Sequence, residues 1–260
     1  MSERFQIQIK DIMSKPRTIA KSAVVSDALK KMLDEGADPL IVTNNGTVVG
    51  TTSRAAIAET LGSRKNSMIA ATSIHVANTV EEDFTSAYPD QNIAVLVPLL
   101  QHYKLVVVLD SEHRLIGQVG AEEILRVLKP SGSIADVMEP AYTIQAEERA
   151  VHLRRRMLDD NIDRFIVADG DELMGIVTEI DVAKAMFSFK EVVESKYQDH
   201  RIRNLLVRDI MSSPLVAVSA EKSVSETIDM MLSKGFSSVP VTDGRKVVGV
   251  ITKNSLIRAL

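Results

Sequence analysis

The stretch LMGIVTEIDV, Leu173 to Val182, is one of four endings of the same design in this 260-residue chain. The others are VVGTTSRAAI from Val48, LIGQVGAEEI from Leu115 and VVGVITKNSL from Val247. In each, a hydrophobic pair and a glycine lead into more apolar residues and then the start of a helix. Aligning Gly50, Gly117, Gly175 and Gly249 gives a period of roughly 60 to 75 residues, long enough for a small βαββα unit. The chain reads as an array, and its function is expected between the copies.

Each ending follows an apolar strand: PLIVT from Pro39, LVVVLD from Leu105, RFIVAD from Arg164 and SVPVTD from Ser238. Turn chemistry separates the two strands, as in Asn44, Asn45 and Gly46, or Asp243 and Gly244, and predicts a hairpin. Upstream, Val25, Leu29, Met32 and Leu33 in the first copy, and Val224, Ile228, Met231 and Leu232 in the fourth, fall at helical spacing on one apolar stripe. Three copies open with a header: DIMSKP from Asp11, DVMEPA from Asp136 and DIMSSP from Asp209. In the second copy the corresponding region, SMIAATSIHVA from Ser67, has lost it.

The order of extended opening, helix, two strands and closing helix resembles the cystathionine beta-synthase (CBS) domain. The headers DIMSKP and DIMSSP, the strand SSVPVTD and the ending GIVTEIDV carry the resemblance. It implies an α/β (α+β) fold of four CBS motifs, at 8–62, 67–129, 133–187 and 205–260, with a linker at 188–204. Lys129 to Ser133, containing Pro130 and Gly132, forms a turn-rich link between the second and third motifs. Adjacent motifs pair in this family, so two pseudo-symmetric Bateman modules are expected, closing into a disc. A single unit near 60 residues buries little of its surface and is marginal alone, which gives the pairing a physical reason.

Composition bounds the function classes. A hydrophobic content of 45% and a charged content of 25% describe a globular chain able to bury a core. There is no cysteine, so disulfides, thiolate metal sites and cysteine nucleophiles drop out. No apolar run approaches the roughly 20 residues of a membrane span, and MSERFQIQIKD lacks a signal-peptide core; a cytoplasmic location is expected. A net charge of -4 and few aromatics argue against a nucleic-acid binder. The five histidines are scattered, with no HExxH, P-loop or GxGxxG pattern, and the repeats occupy the chain, so no enzyme and no metal site is expected. The adjacent pairs Glu122 and Glu123, and Asp159 and Asp160, point apart on a helix and read as solvated faces.

Thr178 and Asp181 are the sharpest chemical signal. At this spacing they form a capping box, satisfying free backbone amides at the start of the closing helix. The family resemblance adds a second role, marking a nucleotide site in which Asp181 accepts from a ribose diol and Thr178 and the helix start lie near phosphate. The equivalent pairs rank the copies: Thr252 and Ser255 keep the hydroxyl, Gly120 and Glu123 keep an acid, Ser53 and Ala56 keep no acid. Arg164 stands where the other copies have Pro39, Leu105 and Ser238. It reads either as a partner of Asp160 or Asp163, or, as in members similar to the gamma subunit of AMP-activated protein kinase, as a phosphate ligand. The resemblance also implies a base slot walled by Ala141 and Tyr142, Leu215 and Val216, Ile176, and Ser237 and Val239, positions that equally suit plain core. The segment from Phe187 to Asn204, with Phe189, Val192, Val193 and Tyr197 at helical spacing and a basic end at His200, Arg201 and Arg203, reads as a solvated connector or an anion contact.

The expected function is a regulatory sensor that binds AMP, ADP or ATP between paired motifs and transmits occupancy to a partner protein. S-adenosylmethionine or a cyclic dinucleotide would fit the same cleft, and a ligand-free interaction scaffold is a third reading. Face-to-face homodimers are compatible with a disc.

Overall fold

The computed structural model describes residues 7–62, 71–160, 162–170, 172–182, 184–185 and 204–260. The connector side chains singled out between Phe187 and Arg203 lie outside the described residues. Each copy builds one three-stranded sheet. In the first, β1 (Thr18–Ala20) runs parallel to β2 (Leu40–Asn44), which pairs antiparallel with β3 (Thr47–Thr52). The plan recurs in β4 (Thr85–Ala87), β5 (Leu105–Leu109) and β6 (Leu115–Gly120); in β7 (Thr143–Ile144), β8 (Arg164–Asp169) and β9 (Glu172–Thr178); and in β10 (Val218–Ser219), β11 (Ser238–Asp243) and β12 (Lys246–Thr252).

A parallel pair needs a crossover. The helices Val25–Asp34, Ala150–Asp159 and Val224–Lys234 supply it in three copies, and Leu96–His102 in the second. Their expected stripes face inward: Val25, Leu29 and Met32, and Val224, Ile228 and Met231, are buried. All four hairpins carry a register shift at the same place, after Val42, Val108, Val167 and Val241. Those residues sit opposite the four aligned glycines, so the sequence period is a period of bulged hairpins.

Three strands cannot bury two faces, and the copies complete each other in pairs. The first motif's opening segment bonds to the second motif's last strand, with Ser14 N–H donating to Gln118 O at 2.9 Å and Gln118 N–H returning to Ser14 O at 3.0 Å. The exchange is reciprocal through Glu81 and Thr51, at 2.9 and 2.8 Å. Glu139 with Val250 and Ser212 with Ile176 repeat it between the third and fourth motifs. These are the two expected modules.

The second copy's header corrects the sequence reading. It is not lost: the turn Val76–Asn78 occupies the place of Ile9–Ile12, Ile134–Val137 and Val207–Ile210, and Val80 meets Gly50 where Met13, Met138 and Met211 meet the other glycines. Its motif letters have changed while its backbone pairing has stayed.

The modules join through their second and fourth motifs. The helix Lys253–Arg258 packs on Leu96–His102 and Ala121–Val127. One apolar cluster runs from Val106, Ile124 and Leu125 to Ile228, Met231 and Leu256. On the opposite side, helices Arg54–Gly62 and Ala150–Asp159 border an open cleft of about 640 Å³. No helix among the described residues is long and apolar enough to cross a membrane.

Candidate functional site

The last strand of each sheet ends at the residue that starts the closing helix. Because the partner motif's opening segment is bonded to the middle of that strand, each helix start faces the partner. A cleft between paired motifs follows from the pairing itself.

In the third motif, Asp181 Oδ2 accepts from both the backbone N–H and the hydroxyl of Thr178, each at 2.8 Å. Ser212, from the fourth motif's opening segment, donates to Asp181 Oδ1 at 3.2 Å. Asp181 is 7% exposed, and all three bonds go to groups that a ribose diol could replace or join. One side chain thus caps its own helix and contacts the partner motif. Ile176 supplies the backbone pairing to Ser212, and Leu215 and Val216 follow on that segment.

In the fourth motif, Ser255 N–H donates to Thr252 Oγ1 at 2.8 Å and Thr252 N–H donates to Ser255 Oγ at 3.0 Å, a complete capping box. The Thr252 hydroxyl reaches Glu139 Oε2 at 3.2 Å. Beside it opens a cleft of about 410 Å³, bordered by Ala141, Tyr142, Ile162, Arg164, Ile166 and Asn254. Tyr142 is 46% exposed and its ring is tilted against that of Phe165, with centroids 6.3 Å apart.

The residues expected from the sequence thus separate. Ala141, Tyr142, Arg164, Thr252 and Ser255 gather at the fourth motif's helix, while Thr178, Asp181 and Ile176 gather at the third's. Asp181 does not border the cleft that Arg164 lines. Ser237 lies at the central cavity, where its carbonyl accepts from Lys253 N–H at 3.0 Å, and Ser238 is the register partner of Thr252. Val239 is fully buried in the apolar core, so its side chain is core and not cleft wall.

All four motifs border a central cavity of about 270 Å³. Its walls carry Arg54 and Asp38, Lys104 and Glu122, Asp163, Arg164 and Glu179, and Lys253. Lys253 forms an ion pair with Glu122 across the modules, so Glu122 is not the solvated residue its sequence neighbours implied; Glu123 instead caps the Gly120 N–H at 2.8 Å. Asp163 holds Arg164, with Nε donating to Oδ1 at 2.6 Å. Burial pushes the Asp163 carboxyl up, but the Arg164 hydrogen bond and charge, with Lys104, bring it below the ordinary value. Burial pushes Glu179 up, and Asp163 and Asp38 add to this against the opposing charges of Lys104 and Arg164. Among the described residues, Arg164 Nη1 and Arg54 Nε are buried without a hydrogen-bond partner. Sequence reasoning missed this cavity. The residues directly after the helix-start position, Arg54, Glu179 and Lys253, carry its signal, visible only once the four copies are compared one place further along. Among the described residues no group of His, Asp and Glu has the arrangement of a metal site.

The CBS domain family model matches residues 9–63, 76–130, 134–188 and 207–260. The chain belongs to the CBS domain family. Its CBS array is similar over its length to a crystal structure of protein MJ1225 from Methanocaldococcus jannaschii, described as a candidate archaeal homolog of g-AMPK. The two share 19% identity at a TM-score of 0.80, covering 97% of this chain and 99% of that one. Curated relatives include the uncharacterized protein MJ1404 of the same organism, 26% identical over 137 residues, and MK0525 of Methanopyrus kandleri, 29% identical over 113. The matches take in 51% and 43% of this CBS chain, and 32% and 53% of those proteins' own lengths.

Proposed function

We propose that this chain is a regulatory sensor of adenine nucleotides, binding AMP, ADP or ATP in the clefts between paired CBS motifs. A chain of four CBS domains is regulatory in kind and not catalytic. The observation that carries the ligand class is Asp181: a buried carboxylate at a helix start, bonded to the amide and hydroxyl of Thr178 and to the hydroxyl of the partner motif's Ser212, with the Arg54 charge also acting on it. Such a group accepts two donors from a vicinal diol. Thr178 and the helix start are then placed toward phosphate.

The central cavity supports the anion end of the ligand. A buried guanidinium N–H without an acceptor costs about 1–3 kcal/mol, and both Arg54 Nε and Arg164 Nη1 are in this state beside the cavity. Phosphate oxygens projecting inward would supply the acceptors, joining occupancy of a cleft to the charges of both modules. A partner protein would read the resulting shift in motif orientation, and a coupling of about 1–3 kcal/mol changes its affinity by 5–150-fold. The setting is the cytoplasm, with face-to-face dimers as one mode of assembly.

One observation favours a second reading, a ligand-free scaffold. Asp181 already accepts from Thr178 and Ser212, so its carboxylate has partners within the chain itself. Isothermal titration calorimetry of extensively dialysed protein with AMP, ADP, ATP and S-adenosylmethionine decides between them. Saturable binding of an adenine nucleotide, weakened by Asp181→Ala without loss of the fold, is expected. Silence across the panel moves the scaffold reading ahead, and S-adenosylmethionine alone reassigns the ligand.

A further inference from the structure

Two positions are paired by each bridge between motifs: the opening-segment residue that bridges the partner's last strand, and the third residue of the partner's closing helix. The bridges identify the first position as Ser14, Glu81, Glu139 and Ser212. The second is Ala56, Glu123, Asp181 and Ser255. Through the bridges, Ser212 is matched with Asp181, Ser14 with Glu123, Glu139 with Ser255 and Glu81 with Ala56. Each pair has one acid and one small residue, and the acid changes sides.

The geometry agrees where both versions are seen in detail. Thr178 Oγ1 donates to its carboxylate, Asp181, at 2.8 Å from within its own motif. Thr252 Oγ1, at the equivalent place, donates to Glu139 at 3.2 Å from across the cleft. The extra methylene of glutamate spans the distance from the opening segment, so a carboxylate meets the helix-start hydroxyl in both. Arg258 pairs with Glu139 Oε1, and Oε2 is the oxygen that faces Thr252. The cleft that seemed to lack its acid is also the one bordered by Arg164 and Tyr142.

We propose that Glu139 is the diol-accepting carboxylate of the fourth motif's cleft, replacing the acid absent at Ser255, so that this cleft binds a ribonucleoside phosphate. The inference rests on the nucleotide-sensor reading above. With Glu139 at the sugar and Arg164 at the phosphate, the cleft gains both polar ends of a ligand from the third motif and the cap from the fourth. Occupancy then bridges the two motifs.

The test is calorimetry with AMP and 2′-deoxy-AMP on the full chain, first as wild type and then with every variant in an Asp181→Ala background to silence the neighbouring cleft. Glu139→Gln is expected to weaken AMP at least about tenfold, as losing a charged hydrogen-bond acceptor does. The relocation variant Glu139→Ser with Ser255→Asp, which copies the Asp181 and Ser212 arrangement, is expected to regain AMP binding and its preference over 2′-deoxy-AMP. Arg258→Met breaks the ion pair, keeps the acid, and should retain AMP binding. If wild type binds AMP but Glu139→Gln in that background does so equally, or if relocation fails to restore what Glu139→Gln loses, or if Arg258→Met costs as much, the assignment is overturned and the sensor reading stands. If wild type binds neither AMP nor 2′-deoxy-AMP, the AMP-sensor reading falls and takes this assignment with it.

Discussion

Glu179 follows Thr178 directly, and its surroundings oppose its charge. Burial acts first, with Asp163 and Asp38 adding to it and Lys104 and Arg164 only partly offsetting them. A carboxyl whose folded value is raised contributes stability that is fully present below its unfolded value and is lost as pH rises through the folded one. Glu179→Gln should therefore melt higher than wild type at neutral pH, with the gap closing toward about pH 4, near the unfolded value of a glutamate. A constant difference in Tm across that range would show that the charge carries no penalty. The neighbouring Thr178 and Asp181 were legible because a capping box is a local pattern. Glu179 was not, because its setting depends on how two modules close around a cavity, and no spacing within one helix encodes that. Ser212 and Glu139 stayed hidden for the same reason, each acting on a helix of a different motif.

At the scale of elements, the aligned glycines were the strongest signal, yet their reason lies outside their own hairpins. Gly175 on β9 faces the fourth motif's opening segment, where an added Cβ would stand 2.6 Å from Ser212 O and 3.1 Å from Met211 Sδ. The backbone oxygen cannot move without opening the Ile176 and Ser212 pairing. Gly175→Ala should cost about 1–3 kcal/mol, the usual scale of overpacking, read as a lower urea midpoint with the slope unchanged. Nucleotide affinity should fall with it, since the same pairing positions Ser212 beside Asp181. Gly235→Ala gives the contrast: φ is +68° but nothing lies within 4 Å of the new Cβ, so a smaller loss is expected, from backbone strain alone. Strands, hairpins and apolar stripes could be read from the sequence because their periods are local. The second header could not, since Val80 does the work of methionine at Gly50 and only the pairing of Glu81 with Thr51 reveals it.

At the scale of the whole molecule, the two sides on which the modules meet differ. The second and fourth motifs share one apolar core in which Leu256 is fully buried, whereas the first and third face each other across the cleft of about 640 Å³, where Leu158 is 54% exposed. The joined side should act as a common unfolding unit and the open side as the one that adjusts when a ligand binds. Leu256→Ala removes a buried side chain at a cost of about 2–5 kcal/mol. Because the core is continuous, hydrogen exchange should quicken in Leu96–His102 and Ala121–Val127 of the first module as well as in Lys253–Arg258. Leu158→Ser should leave exchange in the first module unchanged. If Leu256→Ala quickens exchange in the second module alone, the modules open independently, and a ligand bound in one could signal to the other only through the charges of the central cavity. If both respond, the shared core is a rigid edge about which the open side can move, giving the clefts a mechanical route to a partner.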